Sequence, residues 1–450
     1  MKLRNLIFAL LATVQTHAAN YYMSPEGDDN ANGRSVASAK ATLGQAQRLL
    51  QPGDTLFVLP GVYKPVTVAK TEKPGPYAVF YDLSLSGEKG RPIVIAGVTD
   101  AKGNRPVFDL SGAPAGVRVT GFLLSGQRLV LKNFDVTGIP VTRTDHTQSE
   151  NIRISGGAWN TVENVACHDG MGIGVYINKN SHHNLIVNCD GYNQYDPVSD
   201  IDPRTGKGSG GNNDGFGCHV RGGMDGNMFI GCRAWNNTDD GFDLINCYSP
   251  VTFAYSLAMR NGYDAQGVSR ADGNGFKAGG FGMKPRDIDL YGGKAPRHTV
   301  EHNVAIGNKA NGLYANHHLG GIDFRHNTAV GNRNYNYSMV NRRGPAAADN
   351  RDVDGYGHTV RNNVSHSATD RHAAWMTTAS DIGDNLMVES PNVKPDMEAL
   401  TAPRRRDGML SDLTLNAIRA IPAAPSKGAD FGGYAKAIDA ARLCTGADAR

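Results

Sequence analysis

Three aspartates fall within five residues in the stretch Asn236-Asn237-Thr238-Asp239-Asp240-Gly241-Phe242-Asp243. Carboxylates gathered this closely suit two kinds of chemistry: holding a hard divalent cation, or acting as a paired acid and base. The same local text recurs as Asn213-Asp214-Gly215-Phe216-Gly217, Gly273-Asn274-Gly275-Phe276-Lys277 and Ala310-Asn311-Gly312-Leu313-Tyr314. Taken singly, Asp-Gly and Asn-Gly pairs are ordinary turn formers, and a lysine after a phenylalanine is ordinary surface charge. Repetition changes the reading, because it turns four turns into four rungs of one structure.

Each rung is preceded by a short β-type run ending at an asparagine: Cys189 to Asn193, Cys232 to Asn236, Leu257 to Asn261, Val304 to Asn308 and Thr328 to Asn332. The two markers interlock with a period of about twenty to twenty-five residues and no helical pattern, which is the signature of a solenoid. Apolar runs such as Met228-Phe229-Ile230 fit strands of a parallel β-helix buried by stacking on their neighbours.

In stacked coils, equivalent residues lie about 4.8 Å apart. Asp214, Asp240, Asn274 and Asn311 then form one column, and Gly217, Asp243, Lys277 and Tyr314 a second, three residues further on. An offset of three would place the columns on opposite faces of a straight strand, so the intervening glycine is expected to bend the chain. Asp214, Asp240 and Asp243, with Asp239 at the adjoining turn, would converge beside Lys277 of the next coil. Like charges stacked one rung apart repel. A bound cation removes the conflict, and an all-oxygen donor set selects Ca²⁺.

The elements that position these residues can be taken in chain order. Met1 to about Ala18 carries Lys2 and Arg4, an apolar run from Leu6 to Ala12 and a small-residue end, the pattern of a secretory signal peptide. The mature protein is therefore expected outside the cytoplasm, extracellular or periplasmic, and not in a membrane. Residues 19–390 are expected to form one β-helix domain. Thr42 and Gln45 fit a capping box for a short helix bearing Leu43, Ala46 and Leu50, the candidate N-terminal cap of the solenoid. Insertions between Asn193 and Asp214 and between Asn261 and Asn274 fall at one corner and should wall a groove over the carboxylates. Residues 391–450 read as a C-terminal cap and wrapping tail, with Arg404-Arg405-Arg406 as solvated surface. The six cysteines have no zinc spacing, and Cys189 and Cys232 share a register that suits buried thiols. With a formal net charge of +3 and no dense basic run, nothing points to nucleic acid.

The central Asn-Thr-Asp-Asp-Gly-Phe-Asp block, the upstream Asn-Asp-Gly-Phe, the downstream Gly-Asn-Gly-Phe-Lys and the opening Tyr21-Tyr22-Met23-Ser24-Pro25-Glu26-Gly27 resemble the family 9 polysaccharide lyases, secreted bacterial pectate lyases. The resemblance runs from Tyr21 to about Tyr434. It implies an all-β, right-handed parallel β-helix with an asparagine ladder and calcium-dependent cleavage of α-1,4-polygalacturonate to 4,5-unsaturated products. By position it implies Asp214, Asp239, Asp240 and Asp243 as Ca²⁺ ligands and Lys277 as catalytic base. The expected partner is polygalacturonate or a related acidic polysaccharide, and the chain is expected to act as a monomer.

This chemistry suits the residues on its own terms. In β-elimination a base removes the proton on C5 of a uronate, alpha to its carboxylate, while the C4 oxygen departs. A divalent ion stabilises the charge that builds on the carboxylate. The base must be neutral although a free lysine has a pKa of about 10.4, and a neighbouring cation and desolvation both favour the neutral amine. His219, Arg221, Arg270 and Tyr314 are candidates for sugar or carboxylate contact, with ordinary surface placement as the alternative for each. Three rival readings stand: a polygalacturonase-type hydrolase, for which no Gly-His-Gly partner segment is found; a non-catalytic carbohydrate-binding β-helix; and a lyase on another uronide, such as alginate.

Overall fold

The computed structural model describes residues 18–445 apart from 66, 73–76, 204–205, 281–294, 344–350, 368, 375–379 and 391; the expected signal peptide lies almost wholly outside the described residues. The chain winds into a parallel β-helix whose coils contribute one short strand to each of three sheets, of twelve, eleven and eleven strands among the described residues. Strands are short because each coil turns a corner after two to seven residues, so stability comes from stacking and not from any one strand. The interior is a continuous column of Leu, Ile, Val and Phe, including Phe108, Phe122, Phe134, Phe229, Phe253 and Phe324, all buried. Among the described residues no helix is long and apolar enough to cross a membrane.

Polar ladders run at the corners. The ladder leading into the third sheet is Gln194, Asn237, Asn261, Asn308, Asn332 and Asn336, in which each asparagine's side-chain oxygen accepts from the backbone N–H of the preceding member. The sequence assigned its first two rungs to Asn193 and Asn236. Those two sit one residue earlier, in left-handed conformation with φ of 55° and 52°, where asparagine is tolerated for its backbone and not for its amide. Further ladders run through Asn160, Asn184 and Asn227 at the first sheet, and through Asn303, Asn327, Asn363 and Asn385 at the second.

The N-terminal end is closed by the strand Asn20–Met23 and the helix Leu43–Ala46, whose Thr42 hydroxyl accepts from the Gln45 N–H. Leu43, Ala46 and Leu50 are buried in the same core as Met23 and Leu56. The C-terminal helices Asp412–Arg419 and Tyr434–Thr445 lie along the outside, their Ile418, Tyr434 and Ile438, with Leu410 just before the first, packed on Val187, Ile230, Leu257 and Ile306 of the first and second sheets. Among the described residues the tail's apolar side chains pack on the first and second sheets and not on the third.

One arginine of the tail overturns its assignment to solvated surface. The Arg404 side chain is 5% exposed and, with Arg233 at 2%, grips Asp190. Both guanidinium groups donate two hydrogen bonds to the Asp190 carboxylate, at 2.7 to 3.0 Å. Burial alone would raise the Asp190 pKa, but the two cations hold it well below the usual carboxylate range. Asp190→Ala would strand two buried cations and is expected to cost about 3–5 kcal/mol, read from a denaturant melt. A change under about 1 kcal/mol would show that the tail does not depend on this clamp.

Candidate functional site

The site is built on the third sheet by the strands Phe216–Val220, Phe242–Asp243, Phe276–Lys277 and Leu313–Tyr314. Their first residues point inward, where Phe216, Phe242 and Phe276 stack with ring centroids 4.9 and 4.6 Å apart. This inner stack fixes the register, so the next residues, Gly217, Asp243, Lys277 and Tyr314, are paired rung by rung on the outer face. Gly217 leaves room for the Tyr176 ring, which a Cβ there would meet at 3.1 Å.

The rung glycines Gly215, Gly241, Gly275 and Gly312 lie at the bend expected of them and serve close packing as well. None of Gly215, Gly241 and Gly275 has a positive φ, yet a Cβ on each would press within 2.9 Å of the next coil's backbone carbonyl. That tight stacking brings the preceding residues into a ladder of their own. The Asp240 N–H donates to Asp214 Oδ1 at 3.0 Å, the Asn274 N–H to Asp240 Oδ1 at 2.6 Å and the Asn311 N–H to Asn274 Oδ1 at 3.2 Å. An oxygen is needed at each rung, and the acidic members use one oxygen for the ladder while turning the second outward.

The outward oxygens gather beside Lys277. Carboxylate oxygens of Asp214, Asp240 and Asp243 come within 4.8 Å of one another, and all three residues are buried. Lys277 Nζ lies 3.1 Å from Asp240 Oδ2, 3.4 Å from Asp243 Oδ2 and 3.9 Å from Asp272 Oδ2. Burial would lower the lysine pKa, but the surrounding charges, Asp240 and Asp243 foremost, hold its ammonium well above the usual range. Burial pushes Asp214 up strongly and Asp240 up to about 6, with neighbouring carboxylates adding to both. Fully ionised, three carboxylates around one ammonium leave an excess of negative charge in a desolvated place. Asp240 Oδ2 is buried with no hydrogen-bond partner. An all-oxygen donor set with surplus charge, one of whose oxygens has only the ammonium for a partner, fits a hard divalent cation, which would compete with the ammonium for the same atoms.

Asp239 belongs to this cluster less directly than the sequence suggested. Its Oδ2 accepts from the Asn212 N–H at 2.8 Å and its Oδ1 from the Asp272 N–H at 3.2 Å, so both oxygens hold the ends of the two insertions. Its oxygens group with those of Asp240 and of Asp272, a residue the sequence reading missed. Asp272 stands two residues before Asn274, as Thr238 does before Asp240 and Asn212 before Asp214, and that register was its only signal.

The four candidate substrate residues separate. His219 Nε2 is buried without a hydrogen-bond partner, 3.9 Å from Asp243 Oδ2, while Nδ1 shares a hydrogen bond with the Tyr176 hydroxyl. Burial lowers the His219 pKa and keeps the ring neutral. Tyr314 adjoins Lys277 in its column, its hydroxyl pushed up to about 12 by burial. Arg270 is a loop clamp and not a free cation: it chelates Asp264 Oδ2 at 3.0 and 2.8 Å and lies 4.6 Å over the Tyr195 ring, tying the second insertion to the first. Arg221 is exposed beyond the end of its strand and makes no ion pair with the cluster among the described residues. All six cysteines are free thiols, five of them buried.

The crowded carboxylates predict how stability responds to pH. Asp239 is pushed up to about 8, by burial first and then by Asp240, and Asp240 to about 6, whereas in the unfolded chain both ionise near 3.8. The folded state therefore holds more protons over that interval, and stability must fall as pH rises through about 6 and about 8. Metal-free protein is expected to melt at a lower temperature at about pH 8.5 than at about pH 5, with added Ca²⁺ closing the gap by binding the native state. A melting temperature in chelator that is flat or rising over this range would contradict the cluster's electrostatics.

Comparison with known proteins sets this geometry among relatives. Residues 21–363 match a family model described as the Pel9A-like, right-handed β-helix region. Pectate lyase L of Dickeya dadantii (strain 3937) is 32% identical over 402 residues, which span 88% of this chain and 82% of that protein. Among solved structures, a rhamnogalacturonan lyase superposes with a TM-score of 0.79 at 38% identity, covering 92% of this chain and 100% of the other. The pectate lyase Pel9A superposes with a TM-score of 0.66 at 28% identity, covering 91% and 90%.

Proposed function

Because the chain belongs to the Pel9A-like family of right-handed β-helix polysaccharide lyases, we propose that it is an exported, calcium-dependent pectate lyase that cleaves polygalacturonate by β-elimination. The observation that carries this reading is Lys277 Nζ, set 3.1 and 3.4 Å from two buried carboxylates on the open face of the β-helix.

Asp214, Asp240 and Asp243 would hold the ion, with Asp239 and Asp272 flanking it. When bound, Ca²⁺ neutralises the uronate carboxylate and so makes the adjacent C5 proton easier to remove. The residues do the rest. With Asp240 and Asp243 given over to a divalent cation, Lys277 would lose the charges that keep it protonated, and its neutral amine would accept the C5 proton. The C5–H electron pair forms the C4–C5 double bond, the C4–O bond breaks, and the departing oxygen takes a proton from solvent. His219, neutral and with Nε2 free of a hydrogen bond, stands 3.9 Å from Asp243 and so backs the cluster from the neighbouring coil. Since only the neutral amine acts, turnover should rise with pH toward the alkaline side.

A second reading, elimination on rhamnogalacturonan, is favoured by the 38% identity to a rhamnogalacturonan lyase over that protein's whole length. The bond cleaved is the same in kind, since both polymers offer a 4-linked uronate. The test that separates elimination from hydrolysis is product absorbance. Elimination should give a conjugated unsaturated uronide absorbing in the ultraviolet in step with new reducing ends. Reducing ends appearing without absorbance would replace the lyase with a hydrolase.

A further inference from the structure

We propose that the groove running from Lys277 toward the C-terminal end of the β-helix binds consecutive uronate carboxylates, and that Arg333 and Arg371 are its specificity-determining residues. This rests on the lyase reading above and deepens it by choosing between the two polymers.

The groove, about 620 Å³, is lined by residues that include Asp272, Lys309, Tyr314, Arg333 and Arg371. It is continuous with the cluster, since Asp272 Oδ2 is 3.9 Å from Lys277 Nζ and Tyr314 is paired with Lys277 across the rung. Its charge is of the opposite sign to that of the cluster, with three cations against one carboxylate.

The three cations do different things. Lys309 is committed: its Nζ donates to the backbone carbonyls of Arg270 and Ala271, so it holds in place the insertion that carries Asp272. Arg371 uses one guanidinium nitrogen on the Arg333 carbonyl at 2.7 Å, which leaves the rest of its fork to the groove. Arg333 is exposed, and its side chain is in no ion pair among the described residues.

Their spacing comes from the coils. The Lys309 N–H donates to the Asn261 carbonyl and the Arg333 N–H to the Asn308 carbonyl, so each follows a ladder asparagine on successive coils. The Asn336 N–H donates to the Arg371 carbonyl, which carries the series one coil further. Cations thus advance by one strand spacing, about 4.8 Å, along the helix axis. A polymer lying along this face with a carboxylate on every sugar can engage both guanidinium forks, which bind carboxylates in two-point fashion. A polymer in which neutral rhamnose alternates with the uronate leaves one fork without a partner. The structure therefore favours a contiguous polyuronate over the alternating chain.

The experiment is kcat/KM on polygalacturonate and on the alternating rhamnose–galacturonate polymer, for wild type, the Arg333→Ala/Arg371→Ala pair and the Arg333→Lys/Arg371→Lys pair. The alanine pair should lose about tenfold on polygalacturonate, mostly in KM, and much less on the alternating polymer. The lysine pair keeps the charge and should recover part of the preference, and raising the salt should shrink the difference between wild type and the alanine pair. Equal losses on both polymers, no loss, or a wild type that prefers the alternating polymer would overturn the assignment while leaving the lyase standing. A wild type that yields absorbing product from neither polymer removes the lyase reading itself, and the groove proposal with it.

Discussion

Lys277→Ala should lower elimination by about 10³-fold while the protein remains folded. The side chain lies 3.1 Å from Asp240 and 3.4 Å from Asp243, and it is 10% exposed. Removing it deletes, among the described residues, the one amine placed with these carboxylates, without touching the Phe216, Phe242 and Phe276 stack that sets the register. Lys277→Arg sharpens the point. A guanidinium keeps the positive charge but cannot be deprotonated near neutral pH, so it satisfies the carboxylates and still cannot accept a proton. If the lysine acts only as a charge, the arginine variant should retain turnover. If it acts as the base, both variants should be equally inactive, with near-native melting temperatures in Ca²⁺. A non-catalytic β-helix would register neither change.

Asp240→Asn should cost about 10²-fold or more at low calcium and raise the calcium concentration needed for half-maximal rate. Asp240 does two jobs with two oxygens. Oδ1 accepts from the Asn274 backbone and side chain at 2.6 and 2.9 Å, and Oδ2 faces Lys277 with no hydrogen-bond partner. An asparagine can keep the first contact through its own Oδ1, so the ladder survives while the charge that a cation needs is lost. Loss of that charge should also weaken the hold on the ammonium. The discriminating measurement is the calcium dependence of rate in the variant: a right-shifted curve supports a ligand role, and an unchanged curve with a lower plateau would assign Asp240 to positioning Lys277 alone.

Much of this site was legible because a β-helix repeats the same local demand on every coil. A glycine, an inward apolar residue that is aromatic in three of the four rungs, and an outward residue recur at Gly217, Asp243, Lys277 and Tyr314, and those four do pair across the rungs. What failed, failed for physical reasons. The ladder was read one residue early at Asn193 and Asn236 because the true rung below Asn237 is Gln194, an amide of the same chemistry but a different letter. Asp239 was read at the turn adjoining the cluster, but what was not legible is that its two oxygens also hold the backbone of insertions whose path no periodicity encodes. Those insertions also hid Asp272 and turned Arg270 from a candidate substrate contact into a clamp. Arg404 looked like surface because its partner, Asp190, is 214 residues away along the chain. Contacts within a coil or between regular neighbours leave a pattern in the sequence, and contacts made by a tail that doubles back do not.

The most direct measurement is the ultraviolet absorbance rise on polygalacturonate with protein stripped by chelator and then titrated with calcium. Carboxylates that must release Lys277 to a cation require no rise in chelator, saturable recovery as calcium is added, and faster turnover toward alkaline pH. A full rate in excess chelator would contradict the shared role of Asp214, Asp240, Asp243 and Lys277.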